Sequence, residues 1–269
     1  MEKKQSVSFS VVIPTRDRPE LFKLALDSVL SQKYDNFEIL VVNDGSSGEY
    51  LDAYKELEKQ YSDRVLFYYL TYRPNGHGQS YSMNYGAFLA KGDYLCFLDD
   101  DDYWVDEDHL SRSASSIQGA HMKADLYFTN QKAYLSDGTQ KNEEIWIEDL
   151  EVILKDQPKD DYGSYSVNII TMLKSNGFAH LNCSIFSKSL YEKIKGMDEH
   201  IRYECDRDIY IRALDSAEII LYNPAFVSKH HIPDSNKSNN MSTAISVFEK
   251  KIFQLRVYDK GILFSKNPE

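Results

Sequence analysis

Four short apolar runs in the first hundred residues are separated by stretches with helical spacing, and that alternation leaves few folds open. Phe9-Ser10-Val11-Val12-Ile13 reads as a buried strand. Asp17-Arg18-Pro19-Glu20 follows with the spacing of a capping box and a proline for a first helical turn. Leu21, Leu24, Ala25, Ser28 and Val29 then recur at helical intervals. The second strand, Phe37-Glu38-Ile39-Leu40-Val41-Val42, ends at Asn43-Asp44-Gly45-Ser46-Ser47. Residues 49–61 are compatible with a helix, 65–70 with a third strand, and a Gly- and Asn-rich loop at 74–78 leads into another helix. Tyr94-Leu95-Cys96-Phe97-Leu98 is the fourth strand. A β-α-β-α-β-α-β order predicts a mostly parallel sheet with right-handed crossovers and helices on both faces.

The second half is patterned differently. Short strands are expected at 125–129 and 133–135, beside an Asp137-Gly138 turn signal. Residues 155–166, rich in Asp, Lys and Gly, read as a loop. A strand at 184–186, helices at 188–195 and 206–217, and a strand at 219–222 follow. The segment after Pro233 begins polar, and 242–258 has helical spacing with Ile245, Phe248, Ile252, Leu255 and Val257 roughly on one face. With no internal repeat and no low-complexity linker, the chain reads as one domain: a half at 1–105, a second half at 106–235 and a tail at 236–269.

Ligands of open α/β sheets bind beyond the carboxyl ends of the strands. Three polar clusters are expected there: Pro14-Thr15-Arg16, Asn43-Asp44-Gly45-Ser46, and Asp99-Asp100-Asp101-Asp102. Four adjacent carboxylates repel one another and call for a positive partner. Mg²⁺ or Mn²⁺, which take oxygen ligands, would serve. Strand-like alternation would point Asp99 and Asp101 the same way, toward one ion. A solvated acidic loop is the plain alternative. In Glu204-Cys205-Asp206-Arg207-Asp208, Asp208 is four residues before Arg212 and suits a helix-face ion pair. Asp206 suits either a helix N-cap or a general base. Lys229-His230-His231 places adjacent imidazoles after a strand, fit for core hydrogen bonds, a metal or a diphosphate. Gly76-His77-Gly78-Gln79-Ser80-Tyr81 lacks the third glycine of a dinucleotide fingerprint and reads as a loop opening a helix.

Composition narrows the function classes. The formal net charge is −11, which disfavours nucleic acid as a partner. No run of eighteen apolar residues is present, and the short polar start has no signal-peptide core, so a cytoplasmic protein is expected. Cys96, Cys183 and Cys205 fit neither a disulfide framework nor a zinc pattern and are expected as reduced thiols.

Val11-Val12-Ile13-Pro14-Thr15-Arg16, then Glu38-Ile39-Leu40-Val41-Val42-Asn43-Asp44-Gly45-Ser46, then Lys91-Gly92-Asp93-Tyr94 running into Leu98-Asp99-Asp100-Asp101-Asp102, resemble glycosyltransferase family 2 with its GT-A fold. Gly196-Met197-Asp198-Glu199 looks like the family's Gly-Phe-Asp-Glu turn, and Cys205-Asp206-Arg207-Asp208 with Arg212 like its Glu-Asp motif. The resemblance implies an inverting hexosyl- or hexosaminyltransferase, dependent on Mn²⁺ or Mg²⁺. A nucleotide-diphospho-sugar, UDP by analogy, would be the donor, and a glycan or lipid-linked hydroxyl the acceptor, in surface polysaccharide synthesis. Pro14, Thr15, Arg16 and Asp44 would contact the nucleotide, Asp99 and Asp101 would be the metal-binding DxD pair with Asp100 assisting, Asp206 the base, and His231 a group near the diphosphate or metal.

Three positions depart from the family pattern. Asn43 stands where Asp is common. Cys205 replaces the partner carboxylate, a place Glu204 would have to fill. Met83-Asn84 replaces an Arg-Asn pair, leaving Arg73 as the substitute cation. Two other readings compete: a phosphohydrolase of the haloacid dehalogenase type, although its Asp-x-Asp strand should come first, and a non-catalytic nucleotide-sugar-binding module. The helix at 242–258, with Lys250, Lys251 and Arg256 off its apolar side, suits docking on the domain or peripheral contact with an anionic membrane at its cytoplasmic face.

Overall fold

The computed structural model describes residues 6–121, 123–143, 145–232 and 245–266. The first half follows the expected order: β1 (Phe9–Thr15), α1 (Pro19–Leu30), β2 (Phe37–Asn43), α2 (Gly48–Tyr61), β3 (Val65–Tyr69), α3 (Gln79–Leu89) and β4 (Tyr94–Phe97). There follow β5 (Tyr103–Trp104), α4 (His109–Gly119), β6 (Leu126–Tyr134), α5 (Leu150–Ile153), β7 (Tyr165–Val167) and α6 (Ile169–Met172). Beyond a 3₁₀ turn, Leu181–Cys183, come β8 (Ser184–Ser187), α7 (Lys188–Lys193), α8 (Cys205–Ser216), β9 (Ile220–His231) and α9 (Val247–Phe264).

The described strands form one sheet in the order β3-β2-β1-β4-β8-β6-β9-β5, with β7 also pairing with β9. β1 pairs in parallel with β2 and β4, and β2 with β3. β8 inserts antiparallel between β4 and β6, which restores the original direction to β6 and its parallel neighbour β9. The carboxyl ends of β4 and β9 therefore open on the same edge of the sheet. Alternation along β1 feeds two cores. Val11 and Ile13 pack with Phe22, Leu26 and Tyr54 on one face, and Val12 with Met83, Phe97 and Ile209 on the other.

Several local expectations need correction. Arg18, not Asp17, stands at the N-cap position of α1, with no side-chain cap bond, and Asp17 at φ 55° turns its carboxylate to the Ser47 backbone N–H at 2.7 Å. The buried stripe of α1 is Phe22, Ala25, Leu26 and Val29, while Leu21 and Leu24 are exposed. The two strands expected at 125–129 and 133–135 are one strand, β6, whose irregular register near Asn130 interrupts the apolar pattern. β9 extends well past 222 and includes Lys229-His230-His231, so the histidine pair lies inside a strand. The Asp137-Gly138 turn is present, with Gly138 at φ 84°. The polar segment at 234–240 lies outside the described residues. All three cysteines are free and buried.

Gly92 sets how closely the turn before β4 approaches β1. Its N–H donates to Ser10 Oγ at 2.8 Å, and a Cβ there would sit 2.6 Å from the Phe9 carbonyl carbon and 2.7 Å from Ser10 N. Backbone cannot give way as a side chain tip can. Gly92→Ala is expected to cost roughly 1–3 kcal/mol, seen as a Tm several degrees lower in thermal unfolding.

Candidate active site

The acidic run begins one residue after β4 and turns at once, with Asp102 N–H donating to Asp99 O at 3.2 Å. The grouping of Asp99 with Asp101 thus comes from a turn, not from strand alternation. Oxygens of Asp99, Asp101 and Asp102 lie within 4.8 Å of one another, which adds Asp102 to the expected pair. Asp100 points elsewhere. It accepts from Thr15 Oγ1 at 2.7 Å and from Arg18 Nη2 at 2.5 Å, and the same guanidinium reaches Asp101 Oδ2 at 2.9 Å. Sequence reasoning missed Arg18. Its place beside Pro19 suggested helix-start chemistry, and no local pattern announces a fork that spans 82 positions.

Asp102 is held by the far half. It accepts from Asn182 Nδ2 at 2.5 Å, the His231 N–H at 2.7 Å, and His230 Nδ1 at 2.7 Å. Burial alone would raise its carboxyl, but His230 and His231 beside it hold it well below the usual carboxylate range. The same pairing raises His230 and His231 against burial. His231 Nδ1 also meets the Asp101 carbonyl at 2.7 Å, and since a carbonyl only accepts, Nδ1 carries the proton there. The remaining carboxylates stay crowded. Burial, then Asp206 and the other three aspartates, push Asp99 well above its ordinary value. Burial raises Asp100 to about 7 although Arg18 pulls the other way. Asp99 also accepts from Gln79 Nε2 at 2.6 Å.

The nucleotide-side residues are brought to the same edge. Pro14 and Thr15 are buried at the end of β1. Arg16 clamps the loop before α3, donating to the Arg73 and Pro74 carbonyls at 2.7 and 3.1 Å. Asp44 cradles that loop: its carboxylate accepts from His77 N at 2.8 Å and Gly78 N at 2.9 Å and meets His77 Nδ1 at 2.8 Å. Asn43, the departure from Asp, is spent on a turn with Ser46, which its Oδ1 and Nδ2 both bond. Asn84 ties α3 to the turn at 196–199 through Met197 and Tyr191. Arg73 is exposed on its loop.

Asp206 is the second residue of α8, whose N-cap position is Glu204 in a left-handed conformation, so it does not cap the helix. The fold carries it to Asp99: His180 Nε2 lies 3.3 Å from Asp206 Oδ2 and 3.9 Å from Asp99 Oδ2. His180 was absent from every sequence motif. Glu204 does not fill the place of the missing carboxylate, since Arg207 at 2.6 Å and Gln254 at 3.1 Å hold it. Asp208 makes the expected ion pair with Arg212 at 2.6 Å and another with Lys260 at 2.9 Å.

The family and the fold of the chain are shared with known proteins. Residues 10–194 match the family model "Glycosyl transferase family 2", and the chain belongs to that family. Among relatives, it is 29% identical over 212 residues to the amylovoran biosynthesis glycosyltransferase AmsB of Erwinia amylovora, covering 78% of this chain and 64% of that protein. It is 24% identical over 266 residues to the putative glycosyltransferase EpsH of Bacillus subtilis, covering 97% and 70%. The chain thus spans about two thirds of the length of these relatives. Its fold is that of residues 1–349 of S. aureus TarS in complex with UDP-GlcNAc, with a TM-score of 0.72 at 18% identity over 97% of this chain and 68% of that one. The mannosyltransferase PcManGT of Pyrobaculum calidifontis, in complex with GDP-Man and Mn²⁺, gives a TM-score of 0.67 at 16% identity over 98% and 66%. The acidic strand is fourth in the chain and not first, and the phosphohydrolase reading falls with the family match.

The Asp102 cluster carries a pH signature. Groups raised on folding, His230 and His231, contribute stability fully below the unfolded histidine value of about 6.5 and lose it as pH rises through their folded values. Asp102, lowered on folding, stays ionised well into acid. Asp102→Asn should therefore lower Tm more at pH 5.5 than at pH 8.5, with a loss on the order of 1–3 kcal/mol at the acid end. Thermal unfolding of both proteins across that pH range checks it.

Proposed function

We propose that the chain is an inverting, metal-dependent glycosyltransferase that moves a sugar from a nucleotide diphosphate, UDP by preference, to a hydroxyl of a glycan or lipid-linked acceptor in surface polysaccharide synthesis. The observation that carries this reading is the approach of Asp206, from α8, to the Asp99 end of the acidic turn, so that one imidazole nitrogen reaches both. Residues 1–105 form the donor half and 106–235 the acceptor half. Retention of both carboxylate groups supports an enzyme over a binding module. The donor class draws on the nucleotide-sugar complexes of TarS and PcManGT, and the polysaccharide setting on AmsB.

The roles follow from position. Pro14, Thr15, Arg16 and Asp44 shape the nucleotide site at the ends of β1 and β2, with Asp100 fixed behind them by Thr15 and Arg18. Asp99 and Asp101, with Asp102 paired behind them, form an all-oxygen set that suits Mn²⁺ or Mg²⁺, and Asp99 has more carboxylate charge around it than its surroundings comfortably hold. A divalent cation there would neutralise the leaving diphosphate. His231, at the end of β9, lies against the same turn with Nδ1 on the Asp101 carbonyl, which supports a role beside the diphosphate. Asp206 takes the proton of the attacking hydroxyl from the opposite side, so one displacement inverts the anomeric carbon without a covalent carboxylate.

Paired variants test these roles on a nucleotide sugar selected by thermal shift from UDP-, GDP- and dTDP-sugars with Mn²⁺. Asp206→Asn should lower kcat by ~10² to 10⁴ with donor affinity nearly unchanged. Asp101→Ala should remove the Mn²⁺-dependent part of donor affinity. Wild-type turnover by Asp206→Asn, or full activity of Asp101→Ala in EDTA, sinks the respective role.

The tail suits peripheral contact with an anionic membrane. No described helix is long and apolar enough to cross one. α9 begins later than the sequence suggested and has a true capping box, Ser246 with Glu249. Val257, expected with the apolar face, turns inward and is buried, whereas Phe248, Ile252, Leu255, Ile262 and Leu263 are exposed. Lys251, Arg256 and Lys266 are also exposed, on a chain whose overall charge is −11. The full chain should co-sediment with vesicles containing anionic lipid at low salt, and Phe248→Ser/Leu255→Ser/Ile262→Ser should not. Equal pelleting of the two rejects the membrane contact.

A further inference from the structure

His180 touches the candidate base yet has no part in the roles assigned above. It is buried, and it stands at the start of the Leu181–Cys183 turn. Its Nδ1 accepts the Asn182 backbone N–H at 3.3 Å. A ring nitrogen that accepts holds no proton, so in the neutral imidazole the proton is on Nε2. Nε2 is 3.3 Å from Asp206 Oδ2, an oxygen that can only accept when ionised.

The tautomer separates two uses of the ring. Asp102, His180 and His230 lie close enough to share an ion. An Nε2 that carries a proton has no lone pair for a metal, and Nδ1 is already spent on the backbone. The hydrogen bond at Nδ1 therefore leaves Nε2–H as the side of the ring that approaches Asp206, at an ion-pair distance of 3.3 Å. The ring is also packed in place, edge-on to Trp146 with centroids 6.2 Å apart and 5.0 Å from the His230 ring.

We infer that His180 is a positioning residue for the base: its Nε2–H fixes Oδ2 of Asp206 and leaves Oδ1 to meet the acceptor hydroxyl. Oδ1 is otherwise approached by the weak S–H donor of Cys205 at 3.4 Å. The contact has a second effect. Asp206 and Asp99 flank the same ring nitrogen, 3.3 and 3.9 Å from it. Without the imidazole N–H, the strongest compensation within reach of Asp206 would be a cation held by Asp99 and Asp101. A base captured as a metal ligand would be lost to the acceptor. His180 keeps the two carboxylate functions apart.

The inference rests on Asp206 being the base, and the experiment separates the two. Turnover of UDP-GlcNAc or GDP-mannose, donor affinity and Mn²⁺ affinity are compared for wild type, His180→Ala, His180→Gln, Asp206→Asn and the His180→Ala/Asp206→Asn double variant. His180→Ala should lower kcat about 10- to 100-fold with donor and Mn²⁺ affinities unchanged. His180→Gln, which keeps an N–H donor, should recover most of the loss. The double variant should be no slower than Asp206→Asn, because the two groups act as a unit. Wild-type turnover by Asp206→Asn would remove the base itself and this inference with it. An impaired Asp206→Asn beside an unimpaired His180→Ala, or losses that simply multiply, would leave the base and overturn the positioning. A fall of about tenfold or more in Mn²⁺ affinity for His180→Ala would make the ring a ligand and also overturn it. Independently of turnover, long-range ¹H–¹⁵N spectra of the histidines should show His180 as the Nε2–H tautomer, and an Nδ1–H tautomer would refute the inference.

Discussion

Asp102 is a buried charge that must be paired wherever the chain folds, and its partners come from parts of the sequence far from it along the chain. Asn182 lies before β8, and His230 and His231 lie at the end of β9. An unpaired carboxylate at this depth would be costly enough to oppose folding, so the end of β9 has to return to the end of β4. That return explains the unusual length of β9, which must run past the pairing region of β7 to reach β5 and the acidic turn. It also closes the second half of the sheet over the first without a direct β4–β9 ladder.

With Asp102 satisfied from the far half and Asp100 from β1 and Arg18, the acidic run is divided. Two of its four carboxylates are structural posts anchored in opposite halves. Asp99 and Asp101 are left at the mouth, and Asp101 shares the Arg18 guanidinium. Crowding shows most clearly at Asp99, whose carboxyl is raised by burial and by four neighbouring aspartates. A divalent cation relieves that crowding directly, whereas a monovalent side chain at one edge relieves it in part. The protein thus stores at the ends of its strands a charge imbalance that a metal and a diphosphate together can settle.

How much of this was legible in the sequence depended on range. Strands β1, β2 and β4, and the polar residues at their ends, could be read because local patterning and βαβ geometry fix them. Asp206 could be nominated from its motif, but its approach to Asp99 could not, since that contact depends on where α8 docks. Arg18 and His180 were illegible for the same reason. Each approaches carboxylates far along the chain, and a lone Arg before a proline or a lone His before Leu-Asn carries no local signature. The α1 stripe was misread because Leu21 and Leu24 fit helical spacing as well as Phe22 and Leu26 do, and only the position of Tyr54 and Phe67 decides which pair faces inward. The register of β6 failed at an irregularity where the period of two breaks.

α8 is held from behind, and that support joins the site to the tail. Asp208 and Asp198 are both bonded by Lys260 of α9, and Gln254 of α9 reaches Glu204 at the start of α8. Glu204 is in turn fixed by Arg207, whose guanidinium stacks over Phe178, two residues before His180. The first turn of α8, where a helix N-terminus already favours carboxylates, is therefore braced on both sides: by α9 through charged pairs and by the 178–183 segment through Phe178 and His180. Asp206, carried on such an element, has little freedom to drift toward Asp99. The inner face of α9 is spent on this bracing, which leaves its outer, apolar face free for a surface. The same helix thus presents charged and polar groups to α8 on one side and Phe248, Leu255 and Ile262 outward on the other, so the packing that steadies Asp206 does not use up its apolar face.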